Sequence, residues 1–460
     1  MIVPYTLSSL VFFFCGMIFK VQQHSFVVKR YFLYFYVDSL PRIRYIGEMS
    51  SKRKLLILSD AIASSTGLAR IARDLATRIH SNLSDVYEIA SVGYGSPGSC
   101  KFGFNQYVIE GMCEWVCPTL PDICSDFFGK EKGTIFTIWD ASRLTWLAAP
   151  RGCNELFTRF PGLQQWAMSR PFELVGYIPI DSSGPNDRLT FPIMKTLLGF
   201  DRLLAYGAFG EGVIRRTIGD EESDKRHLCH IPHGINGDEF YEMPRKLSRR
   251  LFLEYTGAQN FFQMIGHVKD TAPIADDETL IHIVGTNQNR KDWCTGLGAC
   301  AILAKTRRIR VWAHLDDLER YWSIPNLLAD FGLLDKTVIS LGQISDDRMA
   351  VAYSAADLGL GIGLGEGYGY TIMESLFCGT PCLHINYGGA PQWMGNPDLL
   401  VEPVAYRYEG AFASQRPVSR AQDWADKASA VIGKRCNRNG DIDWVNLWPH
   451  WEQWFREAAK

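Results

Sequence analysis

Two glutamates with seven residues between them are the most informative feature of the sequence. Glu366 lies in the stretch 359–369, where six glycines alternate with other residues, and Glu374 lies in the predicted helix Thr371–Phe377. A carboxylate suits hydroxyl groups as ligands rather than phosphate, because an ionised carboxylate only accepts hydrogen bonds. The spacing predicts two hydroxyl-binding acids facing one crevice. Counted as helical rise, eight residues separate them by about 12 Å, close to the span of a diphosphate plus a ribose.

The glycines between the two acids indicate a phosphate site. Glycine lets the backbone approach a ligand closely, and the amides at a helix start can hold phosphate oxygens. The candidate binding residues in this turn are Gly367, Gly369, Tyr370 and Thr371. A phosphate site flanked by two hydroxyl-binding acids is what a nucleotide-sugar requires. A dinucleotide-binding motif would need G-x-G-x-x-G after the first strand, whereas these glycines alternate late in the chain.

This segment resembles the retaining GT-B glycosyltransferases of the family-4 type. Their pattern is E-G-[FY]-G-x-x-x-x-E-A-x-x-x-G-x-P, and Ser375 replaces the usual alanine. The matching positions are Glu366, Gly367, Tyr368, Gly369, Glu374, Gly379 and Pro381. The resemblance implies that Glu366 contacts the transferred sugar and that Glu374 contacts the nucleotide ribose.

A second match to this family is the basic pair Arg290 and Lys291, in the segment 284–292. The resemblance implies that the pair neutralises the donor diphosphate, and fixed cations stabilise the negative charge of a departing diphosphate. With Glu366, these are the candidate catalytic residues. The alternative is a solvated basic pair at the start of a helix, where positive charge opposes the helix dipole.

Further matches concern the first half of the chain. Gly67 matches the glycine of a flexible first loop that, in the family, approaches donor phosphate and acceptor. His233 lies in Ile231-Pro-His-Gly-Ile-Asn, which resembles the crossover between the two family domains, so we interpret it as a hinge residue rather than a base. The family's catalytic histidine of the first domain has no clear counterpart here.

Two aspartates are candidates for contacting the acceptor. Asp140 and Asp181 each end a predicted strand. Ligands of open α/β sheets bind at the carboxyl ends of strands, so either side chain could face the acceptor. Each could equally cap the element that follows.

Repeated strand–helix alternation must position these residues, and it predicts parallel sheets with helices on both faces. The expected fold is α/β of the GT-B type: two doubly wound Rossmann-like domains facing across a cleft, with a C-terminal helix packing back. The apolar stripe of Trp444–Ala459 predicts that helix. The predicted strands are Lys54–Asp60, Val86–Val92, Ile135–Trp139, Leu174–Ile180, Arg202–Tyr206, His227–Ile231, Thr279–Val284, Ile309–Ala313, Thr337–Leu341, Leu358–Ile362 and Pro381–Ile385.

The predicted domains are residues 49–240 for the acceptor, 241–420 for the donor and a helical segment 421–460. Residues 1–48 are an N-terminal extension. Residues 1–19 carry no charge and nearly reach the 20 or so apolar residues that span a bilayer, so they are either a membrane anchor, an interfacial segment or the product of a start codon assigned too early.

Composition, charge and cysteine content narrow the possible classes of protein further. The 460 residues carry a net charge of −2 and are 47% hydrophobic, which excludes a disordered or fibrous chain and provides no overall basic field for nucleic acid. Twelve cysteines without a CxxC pair favour a reduced, cytoplasmic protein. The Asp-x-Asp pair at 441–443 lies outside any predicted nucleotide site, so no metal cofactor is expected.

The sequence therefore predicts a glycosyltransferase that uses a UDP-, GDP- or dTDP-linked sugar and retains the anomeric configuration. The acceptor is open: a glycan, a lipid-linked molecule, a protein or a modified nucleic-acid base. A membrane is a partner only if residues 1–20 are a real anchor. The alternatives are a nucleotide-sugar epimerase or hydrolase with the same fold, and a sugar-nucleotide-binding protein without turnover.

Overall fold

The computed structural model describes residues 13–14, 17–18, 52–95, 102–109, 116–152 and 154–460, except for the side chains of 13–14, 17–18, 154–156 and 161. It separates two units, residues 1–51 and 52–460. In the first unit it describes only an antiparallel pair, β1 (Phe13–Phe14) with β2 (Met17–Ile18). The rest of the predicted apolar segment 1–19 lies outside the described residues. Within the described part of the chain, no helix is long and apolar enough to cross a bilayer.

The first sheet of the second unit is parallel throughout, in the order β5-β4-β3-β6-β7-β8-β9. Its strands are β3 (Arg53–Asp60), β4 (Tyr87–Tyr94), β5 (Asn105–Ile109), β6 (Thr134–Thr137), β7 (Glu173–Ile178), β8 (Arg202–Ala205) and β9 (Cys229–His230). The six strands predicted for this half of the chain are confirmed. Their apolar runs are buried, as expected for strands covered on both faces.

The second sheet has the order β10-β13-β12-β11-β14-β15-β16 and is parallel except for its edge strand β10. A separate hairpin, β17–β18, follows it. The strands are β10 (Gln259–Asn260), β11 (Thr279–Val284), β12 (Ile309–Leu315), β13 (Thr337–Leu341), β14 (Leu358–Gly361), β15 (Cys382–Ile385), β16 (Leu400–Val401), β17 (Ala405–Glu409) and β18 (Ser414–Val418). All five predicted strands are confirmed here.

Helices cover both sheets, and their apolar faces form the core with the strands. They are α1 (Gly67–Asn82), α2 (Leu120–Phe128), α3 (Thr145–Ala148), α4 (Asn154–Arg159), α5 (Pro161–Ser169), α6 (Phe191–Leu198), α7 (Ala208–Ile218), α8 (Asp220–Lys225), α9 (Arg245–Thr256), α10 (Phe261–Met264), α11 (Trp293–Leu303), α12 (Ile324–Asp330), α13 (Asp346–Ala355), α14 (Tyr370–Phe377), α15 (Pro391–Met394), α16 (Ala421–Val431) and α17 (Trp444–Ala458).

Helix α1 borders the cleft, and its sequence explains where it begins and which face it buries. Thr66 is the N-cap, and its hydroxyl accepts a hydrogen bond from the Ala69 amide at 3.1 Å. Ile71, Leu75 and Ile79 recur at helical spacing and are buried against the sheet. The capped N-terminus of α1 follows the loop after β3 and therefore lies at the carboxyl edge of the sheet.

The C-terminal helix α17 packs back on the first sheet, as predicted. Trp451 is completely buried, and its indole donates to the Pro232 carbonyl at 2.9 Å. The Trp451 ring contacts Phe136 of β6 and Tyr177 of β7, with ring centres 6.4 and 5.0 Å apart. The last helix of the chain thus covers a face of the first domain.

Candidate functional site

Glu366 is the centre of a buried ion-pair cluster at the carboxyl edge of the second sheet. The Arg290 guanidinium donates to both carboxylate oxygens of Glu366 at 3.1 Å, and the Lys291 ammonium donates to Oε1. Burial opposes ionisation of Glu366, but the charges of Arg290 and Lys291 outweigh it and hold the pKa of the carboxyl well below its usual range. The three predicted catalytic residues therefore lie together.

Backbone pairing brings the basic pair to this edge. The Leu364 amide donates to the Arg290 carbonyl at 2.8 Å, and the Asp292 amide donates to the Ile362 carbonyl at 2.9 Å. Asp292 also caps α11, because its carboxylate accepts from the Thr295 amide at 3.1 Å. An acid therefore stands at the start of α11, and the basic pair lies against Glu366 instead of standing alone in solvent.

The glycine-rich turn leads into the N-terminus of α14. Gly369 has a φ of +86°, a conformation that residues with a Cβ rarely adopt, and it is the N-cap of the helix. The Ile372 and Met373 amides donate to the Gly369 carbonyl at 3.0 and 3.1 Å. The amides of Tyr370 and Thr371 precede them in the first turn, where no intrahelical acceptor exists. This end of α14 can bind an anion.

A second loop fixes the shape of that turn. The amides of Gly389 and Ala390 donate to the Glu366 carbonyl at 2.7 and 3.1 Å. A Cβ on Gly389 would lie 2.1 Å from the Gly367 carbonyl oxygen, so only glycine fits at this approach. The loop after β15 therefore positions the backbone around Glu366 and Gly367.

The expected separation of the two glutamates along a helix is wrong. Residues 366–369 form the turn, and α14 begins only at Tyr370. Glu374 therefore lies about one helical turn inside α14, not two turns beyond Glu366. The glycine-rich turn, not helical rise, decides how far apart the two carboxylates are.

Glu374 is 4% exposed and already has two partners. The Tyr353 hydroxyl donates to its Oε2 at 2.9 Å, and the guanidinium of Arg70 binds its Oε1. Burial raises the pKa of the Glu374 carboxyl, and the charge of Arg70 opposes this shift. Arg70 belongs to α1 in the first domain, so this contact crosses the cleft. No local sequence pattern indicates the contact between Arg70 and Glu374, because the two residues are 304 positions apart.

The predicted acceptor residues lie on the wall formed by the first sheet. Asp140 follows β6, and its carboxylate is 3.5 Å from the Arg143 guanidinium. The Asp140 side chain is 50% exposed, so only partial desolvation raises its pKa, and the charge of Arg143 opposes this shift. The charge of Asp181 raises the pKa further, and that of Arg290 lowers it. The Asp140 side chain makes no capping hydrogen bond to the 3-10 turn 141–144, so the capping alternative is wrong for this residue.

Asp181 lies where the two domains meet. Its carboxylate is 3.6 Å from the Arg416 guanidinium of β18 and accepts from the Ser182 hydroxyl at 3.1 Å. A Cβ on Gly365 would lie 2.2 Å from the Asp181 carbonyl oxygen. The loop after β7 thus touches the glycine-rich stretch directly.

A third aspartate on this wall was not predicted from the sequence to be a site residue. Asp60 ends β3 and accepts from the Trp139 indole at 2.9 Å and from the Thr66 hydroxyl at 2.6 Å. Arg143 is 3.9 Å away. Asp60 shows the same pattern as Asp140, an aspartate at the carboxyl end of a strand. It could therefore have been predicted from the sequence.

Gly67 and His233 also lie at the meeting of the domains. A Cβ on Gly67 would lie 3.6 Å from the Tyr370 ring, so the first loop faces the start of α14. The His233 ring is 1% exposed, with ring centres 4.6 Å from Tyr206 and 4.0 Å from Tyr368. Burial lowers the pKa of His233 well below its usual value, so the imidazole is neutral. Its position agrees with a crossover residue.

In the part of the chain that the structure describes, the acids and histidines form no cluster of the kind that holds a metal. In the described ranges there is no group of three or more His, Cys, Asp or Glu side chains placed to do so. Asp443, from the Asp-x-Asp pair near the C-terminus, accepts from the Val445 amide at 3.1 Å and caps α17.

Comparison with known proteins gives no match by sequence: no family profile and no curated protein matches the chain. Solved structures do match. Sucrose-phosphate synthase from Thermosynechococcus elongatus has a TM-score of 0.61 and 14% identity, covering 88% of this chain and 99% of that one. Anabaena HepE in complex with UDP-glucose has a TM-score of 0.57 and 12% identity, covering 88% and 99%.

A third structural relative is the lipopolysaccharide outer core galactosyltransferase WaaB in its apo form. It has a TM-score of 0.54 and 10% identity, covering 88% of this chain and 99% of that one. Sequence identities this low establish a similarity of fold alone. The chain has two parallel-sheet Rossmann-like domains in the arrangement of GT-B glycosyltransferases, and the predicted fold class is confirmed.

Proposed function

We propose that the chain is a retaining glycosyltransferase of the family-4 type, which transfers a sugar from a nucleotide-sugar donor to a hydroxyl group of an acceptor. One observation carries the proposal. The buried cluster of Glu366, Arg290 and Lys291 lies next to the N-terminus of α14, so that two cations, helix amides and a carboxylate converge in one cleft. The structural relatives support it, since HepE binds UDP-glucose.

In this proposal the donor diphosphate binds Arg290, Lys291 and the amides of Tyr370 and Thr371. Glu366 then exchanges part of its contact with the two cations for hydroxyls of the transferred sugar. Arg290 and Lys291 lower the barrier to transfer because they stabilise the charge that develops on the departing diphosphate. The proposed reaction uses no metal cofactor, because Arg290, Lys291 and the helix amides compensate the negative charge of the phosphates.

The transfer step requires no separate protein base. The bond between the anomeric carbon and the phosphate oxygen breaks, and the acceptor oxygen bonds to the same face of the sugar. The proton of the acceptor hydroxyl passes to the departing phosphate oxygen. Asp140 and Asp181, on the opposite wall, accept hydrogen bonds from the acceptor and orient it.

A donor panel tests the proposal. The protein is incubated with UDP-, GDP- and dTDP-linked sugars and with pooled glycan, lipid-linked, protein and nucleic-acid acceptors, and products are detected by mass spectrometry. We expect release of one nucleoside diphosphate and a hexose-sized mass gain on one acceptor class. Donor consumption without any acceptor product would instead indicate an epimerase or hydrolase. Binding without consumption would indicate a sugar-nucleotide-binding protein.

A further inference from the structure

The carboxylate of Glu374 receives its cation from the opposite domain. Glu374 is buried on α14 of the second domain, and the guanidinium that binds it belongs to Arg70, one turn into α1 of the first domain. The side chain of Arg70 is 18% exposed and that of Glu374 is 6% exposed. The pair therefore exists only while the two domains are in contact.

Arg70 is held by more than this one pair. Its second terminal nitrogen binds the carboxylate of Asp346, the first residue of α13. The guanidinium carbon lies 5.0 Å from the ring centre of Tyr370 and 5.3 Å from that of Phe240. A planar guanidinium suits this place, since it can bind two carboxylates and lie over aromatic rings.

We propose that Arg70 is a positioning residue that couples domain closure to recognition of the donor ribose, by holding the Glu374 carboxylate ionised and oriented. The inference rests on the proposed function, which assigns Glu374 to the ribose. An ionised carboxylate offers about four lone-pair positions. Arg70 and Tyr353 occupy one on each oxygen, so the carboxylate keeps the capacity to accept two ribose hydroxyls.

The groups around Glu374 show why the cation matters. The groups that face it are Arg70 from α1, Asp346 and Tyr353 from α13, Tyr368 from the glycine-rich turn and Cys378, the residue that follows α14. Burial raises the pKa values of the tyrosines and the cysteine, so these groups are neutral. Only Arg70 and Asp346 are charged, and they act on Glu374 in opposite directions. Without Arg70, burial and Asp346 both favour a protonated Glu374, which accepts fewer hydrogen bonds.

The test measures binding of UDP, GDP and dTDP by calorimetry, together with pyrophosphate and the 2′,3′-dideoxy form of the nucleotide that binds best. We expect Arg70→Ala to weaken nucleoside diphosphate binding by about tenfold, the scale for one hydrogen bond to a charged group. Pyrophosphate and the dideoxy nucleotide should bind it as they bind the wild type. The loss should shrink as pH rises, because alkali ionises Glu374 again.

Two further variants complete the test. Arg70→Lys keeps the charge but not the planar fork that binds two carboxylates, so it should recover part of the nucleotide affinity, with a loss smaller than the roughly tenfold loss of Arg70→Ala. Arg73→Ala, one turn further along α1 and only 3.9 Å from Asp346 at its nearest, should match the wild type. If Arg70→Ala loses pyrophosphate affinity equally, Arg70 binds phosphate itself and the inference is overturned. Unchanged nucleotide binding in Arg70→Ala, or equal losses in Arg70→Lys and Arg70→Ala, overturns it as well. Absence of any nucleotide binding to the wild type would instead contradict the proposed function.

Discussion

At the scale of single residues, each of the two glutamates in the cleft is paired with cations from elsewhere in the sequence. Glu366 takes both of its cations from the loop before α11, whereas Glu374 takes Arg70 from the other domain. A buried charge is tolerated only when it is paired. In the proposed function, the donor therefore shares or exchanges these contacts when it binds.

The first prediction concerns the cations bound to Glu366. Arg290→Ala and Lys291→Ala should each reduce transfer, together by about 2–4 kcal/mol of transition-state stabilisation, because each removes a charge-assisted contact to the leaving diphosphate. Initial rates at saturating and limiting donor measure the loss. Arg308→Ala is the control, since Arg308 pairs with Asp277 on the surface. Rates equal to the wild type in both cleft variants would remove the pair from the mechanism.

The second prediction separates the two glutamates. Glu366→Gln should reduce turnover far more than nucleotide affinity, because Glu366 is assigned to the sugar. Glu374→Gln should mainly weaken nucleotide binding, because Glu374 is assigned to the ribose. Calorimetry with the free nucleoside diphosphate and rate measurements on the same samples distinguish them. The reverse pattern would mean that the two assignments must be exchanged.

At the scale of elements, the strands were easier to predict than the distances between site residues. Buried parallel strands are continuous apolar runs, so Leu358–Gly361 and Thr279–Val284 could be recognised from composition. The short edge strand Gln259–Asn260 and the exposed strand Ala405–Glu409 have no such run and were missed. The turn at 366–369 interrupts the helical rise that had been counted between the two glutamates.

The third prediction concerns that turn. Gly369→Ala should destabilise the protein by about 1–2 kcal/mol, because a left-handed conformation is unfavourable for alanine, and should also weaken diphosphate binding by displacing the start of α14. Gly410→Ala is a matched control: Gly410 has a φ of +71° and nothing lies within 4 Å of an added Cβ. Thermal melting should show a loss in both variants, larger in Gly369→Ala because its Cβ would lie 3.0 Å from Ile372 Cδ1 and 3.2 Å from Ala390 Cβ. Calorimetry should show weaker pyrophosphate binding only in Gly369→Ala. Equal binding by the two variants would contradict a role for this helix end.

At the scale of the whole molecule, the two domains are joined by more than the crossover. Helix α17 ends the chain but packs on the first sheet, with the Tyr87 hydroxyl donating to the Phe455 carbonyl at 2.7 Å. The aromatic residues at helical spacing in α17 allowed this packing to be predicted from the sequence. The Arg70–Glu374 contact could not be predicted in this way, because no local pattern links residues 304 positions apart.

The fourth prediction tests the packing of α17. Trp451→Ala should lower the free energy of unfolding by about 3–5 kcal/mol, because it removes a fully buried indole and leaves a cavity against the first sheet. Val445→Ala, at a position on the same helix that is 72% exposed, should change it by less than about 0.5 kcal/mol. Denaturant unfolding measures both values. A Trp451→Ala protein as stable as the wild type would show that α17 contributes little to the fold.

The central claim is tested most directly by following the wild-type reaction with proton NMR, using the donor that the panel selects. The anomeric proton of the sugar reports donor consumption, transfer and configuration in one spectrum. We expect a new glycoside whose anomeric configuration is that of the donor, and no such product with Glu366→Gln. An inverted product would contradict the retaining mechanism, and the absence of donor consumption with every nucleotide-sugar would contradict the proposed function.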